Sequence, residues 1–176
     1  MVAIKRLYWR LNEVDKIHLI LSEMIKNQDY SSDTICSYIF SQHYRDNWSQ
    51  KEFLDYSNYL QEKLPNYKLE NFADLKFSIN KKIKLGFLSG DIRSNHSVTY
   101  FLKTILLNYD EKKYEIYLYL NHENDDETTE EFKKLVYKTI NIDGLNDLDA
   151  INYIRNDNID IAFDLMGATS SHREAL

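Results

Sequence analysis

Residues 89 to 98 read SGDIRSNHSV, which puts a carboxylate, a guanidinium and an imidazole within six positions of one another. His96 is the residue best suited to chemistry. A neutral imidazole accepts or donates a proton near neutral pH, and a place at the start of a helix disfavours its cation. Asp91, five residues earlier, could orient that ring by a hydrogen bond. The plainer reading is that Asp91, Ser94, Asn95 and Ser97 make a turn and cap a helix, with His96 exposed beside them. Arg93 suits a phosphate or a carboxylate, or is a solvated loop charge.

A second polar group lies near the end of the chain, in IDIAFDLMG. Asp160 interrupts an apolar run. It stands either at the exposed beginning of a strand or paired with a neighbour. Asp164, four residues on, faces the same side by period two and lies near the strand's carboxyl end, the better place for a site. Gly167 then permits an unusual turn or the close approach of a ligand. His18 and His43 read as surface or packing residues, His122 as part of a solvated loop, and His172 lacks a partner at metal-ligand spacing. No glycine-rich phosphate loop follows the first strand and no metal motif is visible, so no cofactor is expected.

The elements that must position these groups change character along the chain. Val14, Ile17, Leu21, Met24 and Ile25 form a helical stripe, and Ile35, Tyr38 and Ile39 a second. A third starts at Ser49, with Glu52 at capping-box spacing, and carries Phe53, Tyr56, Leu60 and Leu64 as far as Pro65. Residues 1–65 are thus expected to be helical and 66–82 a connector. From Ile83 onward short apolar strands alternate with helices: strands at 83–88, 114–120, 137–142 and 159–165, with helices between them. Thr128 and Glu131 are at capping-box spacing for the second of these helices, and Asp147 is placed to cap the third. Such alternation predicts an α/β fold, a doubly wound and mainly parallel sheet over 83–176, with strand order 3-2-1-4. Ligands in such sheets bind beyond the carboxyl ends of the strands where the order reverses, which is between the first and fourth strands. The turns leaving those two strands carry His96 and Gly167.

A chain of 176 residues with 43% hydrophobic content can bury a core, and a net charge of −6 argues against nucleic acid or an anionic membrane as the main partner. Cys36 is the single cysteine, which excludes an internal disulfide and favours a reducing cytoplasm; it is expected to be buried and inert. The N-terminus has no signal-like apolar run, and no stretch reaches membrane-spanning length.

The blocks IKLGFLSGDIRSNHSVTYFL, YEIYLYL and IRNDNIDIAFDLMGATSSHREAL, in this order and separation, resemble the first part of the catalytic region of O-linked N-acetylglucosamine transferases and their SPINDLY-like relatives. The stretch TICSYIFSQHYRDNWSQKEFLDYSNYL is similar to the segment joining that family's tetratricopeptide repeats to its catalytic part, although no 34-residue repeat is visible in the first 30 residues. The resemblance implies the first lobe of a two-lobed GT-B glycosyltransferase. It implies transfer of a sugar, N-acetylglucosamine, from a uridine diphosphate donor to Ser or Thr of a protein, with inversion and without a metal. It carries His96 over as the active-site histidine and places Asp157 and Asp160 on the catalytic cleft. Asp91, Arg93, Asp164, Gly167 and Thr169 carry over as substrate-binding positions.

Two departures stand out: the turn holds one residue more between Asp91 and His96 than the family's pattern, and Ala168 stands where relatives have His or Tyr. Relatives continue into a second lobe that supplies most donor contacts, so the chain is expected to be inactive alone and to need that lobe in cis or in trans. The alternative expectation is a non-catalytic protein-binding module derived from such an enzyme. An unrelated receiver-like domain fits less well, since the acidic cluster and late lysine of receivers are not evident.

Overall fold

The computed structural model describes residues 8, 10–47, 49–63 and 81–167. They fall into two compact units, residues up to 63 and residues 81–167. Most of the expected connector, together with Leu64, Pro65, Ala168, Thr169 and His172, lies outside the described residues.

The first unit holds α1 (Val14–Lys26), α2 (Ser32–Gln42) and α3 (Gln50–Gln61). Ile17, Leu21 and Ile25 of α1, Ile35 and Tyr38 of α2 and Leu60 of α3 share one core, as helical spacing requires of residues on one face. The Ser31 hydroxyl accepts from the Thr34 amide and starts α2, while Cys36 is buried within it. His18 ties α1 to α2 and to the turn after it. Arg45 Nη1 lies 3.2 Å from its Nε2 and Ser41 Oγ lies 3.3 Å from its Nδ1. Because a guanidinium only donates, Nε2 accepts from it. Burial, and then the charge of Arg45, lower the His18 pKa to about 4.

The second unit is a four-stranded parallel sheet in the order β3-β2-β1-β4. Its elements are β1 (Ile83–Ser89), α4 (Ser97–Asn108), β2 (Tyr114–Leu120), α5 (Glu127–Lys133), β3 (Lys138–Asn141), α6 (Asp147–Asn156) and β4 (Ile161–Asp164). This is the α/β, doubly wound arrangement that the alternating pattern predicts. Period two sorts the two faces. Phe87, Ile116, Leu118 and Leu120 pack with Leu102 and Leu106 of α4 and Phe132 of α5. Leu88, Tyr117 and Tyr119 point the other way, to Ile142 and to Ala150 of α6.

Gly86 lies on the second face. A Cβ there would come within 3.1 Å of Ile159 Cγ2 and 3.2 Å of Tyr119 Cε2, so the absence of a side chain makes room for the tyrosine ring. All four residues of β4 are exposed, and among the described residues this strand stands at one edge of the sheet.

Two expected caps are displaced. The box at the start of α5 is made by Asp126 and Thr129, not Thr128 and Glu131, and α6 is capped by Asn146, one residue before Asp147. In both cases the residue used has a side-chain oxygen three positions before the amide it accepts from. The capping-box partner expected of Ser49, the Glu52 side chain, lies outside the described residues.

Candidate functional site

The carboxyl end of β1 turns directly into the stretch that carries Asp91, Arg93 and His96. Ser89 is buried at the end of the strand, and its hydroxyl accepts from the Asp91 amide at 3.0 Å. The Thr99 hydroxyl lies 3.1 Å from the Asp91 carbonyl and 2.8 Å from the Arg93 carbonyl, and it accepts from the Arg93 amide at 3.2 Å. The first turn of α4 therefore ties down the backbone on which two of the three polar residues are mounted.

A second clamp comes from the neighbouring helix. Asp126 Oδ2 accepts from the Ser94 amide at 2.7 Å, Ser94 Oγ and Thr128 Oγ1 lie 2.9 Å apart, and Thr129 donates to the Ile92 carbonyl at 2.7 Å. Hydrogen bonds from the Ser94 and Thr129 amides hold the Asp126 carboxyl well below the usual carboxylate range. Thr128, expected to cap α5, is thus used on the β1 turn. Asn95 lies in the left-handed region with φ +60°, which an asparagine tolerates better than most side chains.

His96 is the N-cap residue of α4, yet its side chain makes no capping hydrogen bond and stays available for other chemistry. Its Nε2 lies 3.5 Å from Asp91 Oδ1. The same oxygen sits 3.1 Å from Arg93 Nη2. The Asp91 side chain is only 8% exposed, His96 is 30% exposed and Arg93 57% exposed. His96 Nδ1 is buried and has no hydrogen-bond partner among the described residues. If Nε2 carries the hydrogen and gives it to Asp91, the ring's lone pair is on Nδ1. A buried acceptor left without a partner costs about 1–3 kcal/mol, and a ligand would recover it only with the ring turned to expose Nδ1.

The strand register brings β4 to the same rim, with Asp164 beside Leu88. Both Asp164 oxygens accept from the backbone of its own turn, Oδ1 from the Met166 amide at 2.8 Å and Oδ2 from the Gly167 amide at 3.1 Å. Gly167 takes φ +52°, a conformation that most side chains resist. These two residues shape the rim between β1 and β4. Thr169 lies outside the described residues.

Asp157 and Asp160 are not brought to this rim; the structure puts them at the amino ends of the strands. Asp160 precedes β4, and its Oδ2 accepts from the Lys84 amide, at the start of β1, at 2.7 Å, with Lys81 Nζ 3.7 Å from Oδ1. Asp157 follows α6; its carboxylate accepts from the Tyr119 hydroxyl at 2.9 Å and from the Lys138 ammonium, while its carbonyl accepts from Lys84 Nζ at 2.8 Å. The reason is topological. A helix returning to start a parallel strand must end at the strand's amino edge, so residues between α6 and β4 lie a strand's length from the His96 turn.

Asn121 and His122 belong to the carboxyl rim, although their surroundings in the sequence read as a solvated loop. The Asn121 amide continues the ladder to the Ser89 carbonyl at 2.9 Å, and its side chain is buried, with Nδ2 3.9 Å from Met166 Sδ. His122 Nδ1 lies 3.0 Å from the Asn124 carbonyl, and its Nε2 is buried without a partner among the described residues. A signal for them exists in the sequence: both residues directly follow the strand beside β1. Among the described residues no cluster of three or more His, Cys, Asp or Glu is arranged to hold a metal, and no helix is long and apolar enough to cross a membrane.

The chain is similar in structure to a mutant of the O-GlcNAc transferase of Thermobaculum terrenum, with a TM-score of 0.79 and 21% sequence identity. The similarity covers 92% of this chain and 31% of that one, so the chain spans less than a third of the neighbour's length. No family model and no curated protein matches the sequence. The fold is therefore shared with a glycosyltransferase: helices followed by a parallel α/β lobe of GT-B type.

Proposed function

We propose that the α/β unit is the first lobe of a glycosyltransferase that moves a sugar from a uridine diphosphate donor to a Ser or Thr hydroxyl of a protein acceptor in the cytoplasm. A second lobe, in cis or in trans, would supply the other wall of the cleft and most contacts to the nucleotide. The observation that carries this reading is the Asp91–His96 pair on the turn after β1, at the reversal of strand order in a sheet of this fold.

In this reading the acceptor hydroxyl attacks the anomeric carbon, the bond to the diphosphate breaks, and His96, its ring turned so that Nδ1 is exposed, takes the hydroxyl proton. Asp91 keeps the opposite ring nitrogen protonated and offsets the charge that develops on the ring. Asp164 and Gly167 fix the turn against which the donor rests. N-acetylglucosamine is the donor sugar that the sequence resemblance suggests.

The test is sugar transfer by this chain together with a second lobe, using a uridine diphosphate sugar and a protein acceptor. His96→Ala should reduce transfer by about 10²–10⁴-fold, the range for loss of a general base. Undiminished transfer by that variant would remove His96 from the reaction.

A further inference from the structure

We propose that Arg93 is an anion-operated latch on the Asp91–His96 pair. An oxyanion arriving at the carboxyl rim draws the guanidinium off Asp91 Oδ1 and leaves that oxygen to the His96 Nε2–H. This rests on the reading above insofar as the natural anion is the diphosphate of the donor.

The geometry that carries the inference is the sharing of one oxygen. Arg93 Nη2 at 3.1 Å and His96 Nε2 at 3.5 Å both address Asp91 Oδ1, and the guanidinium is the closer. A carboxylate oxygen can serve two donors, but the closer guanidinium draws on its charge, and with Arg93 in place His96 is held loosely at 3.5 Å. The two donors differ in how freely they can leave. The Arg93 side chain is 57% exposed, while its backbone is pinned by Thr99, so the guanidinium can swing without disturbing the turn.

The energetics favour exchange once an anion is present. The guanidinium is exposed and makes one contact to Asp91, whereas a phosphate engages its planar fork through two charge-assisted hydrogen bonds. Asp91 itself is buried and cannot be left without a donor at low cost. His96 is the neighbour positioned to replace the arginine. Binding of the anion and orientation of the imidazole are thereby coupled through a single carboxylate oxygen.

The experiment uses the 176-residue chain labelled with ¹⁵N-histidine, with ring nitrogens followed by two-bond ¹H–¹⁵N spectra during titration with inorganic pyrophosphate, and with uridine as the uncharged control. The latch predicts that pyrophosphate shifts His96 toward a protected, hydrogen-bonded Nε2–H while uridine does not. Arg93→Gln should show that pattern without any anion and should not respond further. Arg93→Lys, which keeps the charge but lacks the fork, should need at least about threefold more pyrophosphate.

A wild-type His96 ring indifferent to pyrophosphate, or an Arg93→Gln spectrum equal to wild type, overturns the latch. Should Arg93→Gln fail to fold, the Arg93→Lys titration decides alone, and a midpoint equal to wild type counts against it. Loss of sugar transfer in the two-lobe assay with the pyrophosphate response intact would remove the glycosyl reading and leave the latch standing; the converse removes only the latch.

Discussion

The two ends of the parallel sheet hold similar residues in opposite conditions. At the amino end Asp157 and Asp160 are locked by Tyr119, Lys84, Lys138 and Lys81. Burial and the hydrogen bond to Asp157 push the Tyr119 hydroxyl pKa upward, so that group stays a donor at any ordinary pH. At the carboxyl end Asp91 spreads one oxygen over two donors, and buried nitrogens of His96 and His122 lack partners among the described residues. Both carboxylates at the amino end have their donors and hold the fold together, although Thr139 Oγ1 near the amino end of β3 is also buried without a partner among the described residues. An unsaturated network has capacity left for a ligand, and here it coincides with the end where parallel sheets bind theirs.

The largest stability effects should therefore fall at the amino end. Asp157→Ala strands the Tyr119 hydroxyl and the Lys138 ammonium, and about 2–4 kcal/mol of unfolding free energy should be lost in urea titrations. Asp91→Asn should cost under about 1 kcal/mol, since an amide oxygen can still accept from Arg93 or His96. A larger loss from Asp91→Asn than from Asp157→Ala would break the contrast.

Next comes Gly86→Ala, which forces a methyl against Ile159 and the Tyr119 ring; overpacking should cost about 1–3 kcal/mol in the same measurement. If the variant is as stable as wild type, the tyrosine has room to move and the amino-end network is looser than described.

Smaller effects concern pH. The Asp126 carboxyl titrates lower in the folded chain than in the unfolded one. Its contribution is fully present above the unfolded value of about 4 and is lost as the pH falls through the folded one. Asp126→Asn should lower stability in the neutral range and flatten that acid limb in melts, with the two curves converging at low pH.

His18 gives the smallest signal and reports on the helical unit. Folding lowers its pKa from 6.5 to about 4, so between these values the unfolded chain binds a proton that the folded chain does not. Stability of this unit should fall as the pH drops through that window. His18→Gln should remove the slope, and a slope that persists in that variant must come from another group.

Much of the α/β unit was legible from alternation alone. Apolar strands separated by short helical stripes admit few connections, and the observed order is one of the few that right-handed crossovers allow. Element ends were less legible, as at β4, expected over 159–165 and formed by Ile161–Asp164. At the site, Asp91, Arg93 and His96 could be named because six residues of turn must stay together. Asp157 and Asp160 were drawn to the cleft by the resemblance, whereas the topology of a helix returning to a parallel strand already puts residues between them at the amino edge. Asn121 and His122 were overlooked because their loop has an ordinary solvated composition, although the expected pairing of β2 with β1 already places it on the rim.

The most direct test of whether the carboxyl rim carries the chemistry is a comparison of His96→Ala with Asp160→Asn in the two-lobe transfer assay, at a temperature where both variants are folded. A working carboxyl rim predicts at least about a hundredfold loss of rate for His96→Ala and a rate within about threefold of wild type for Asp160→Asn. A large loss from Asp160→Asn with little from His96→Ala would contradict it and place the working end of this sheet at the other edge.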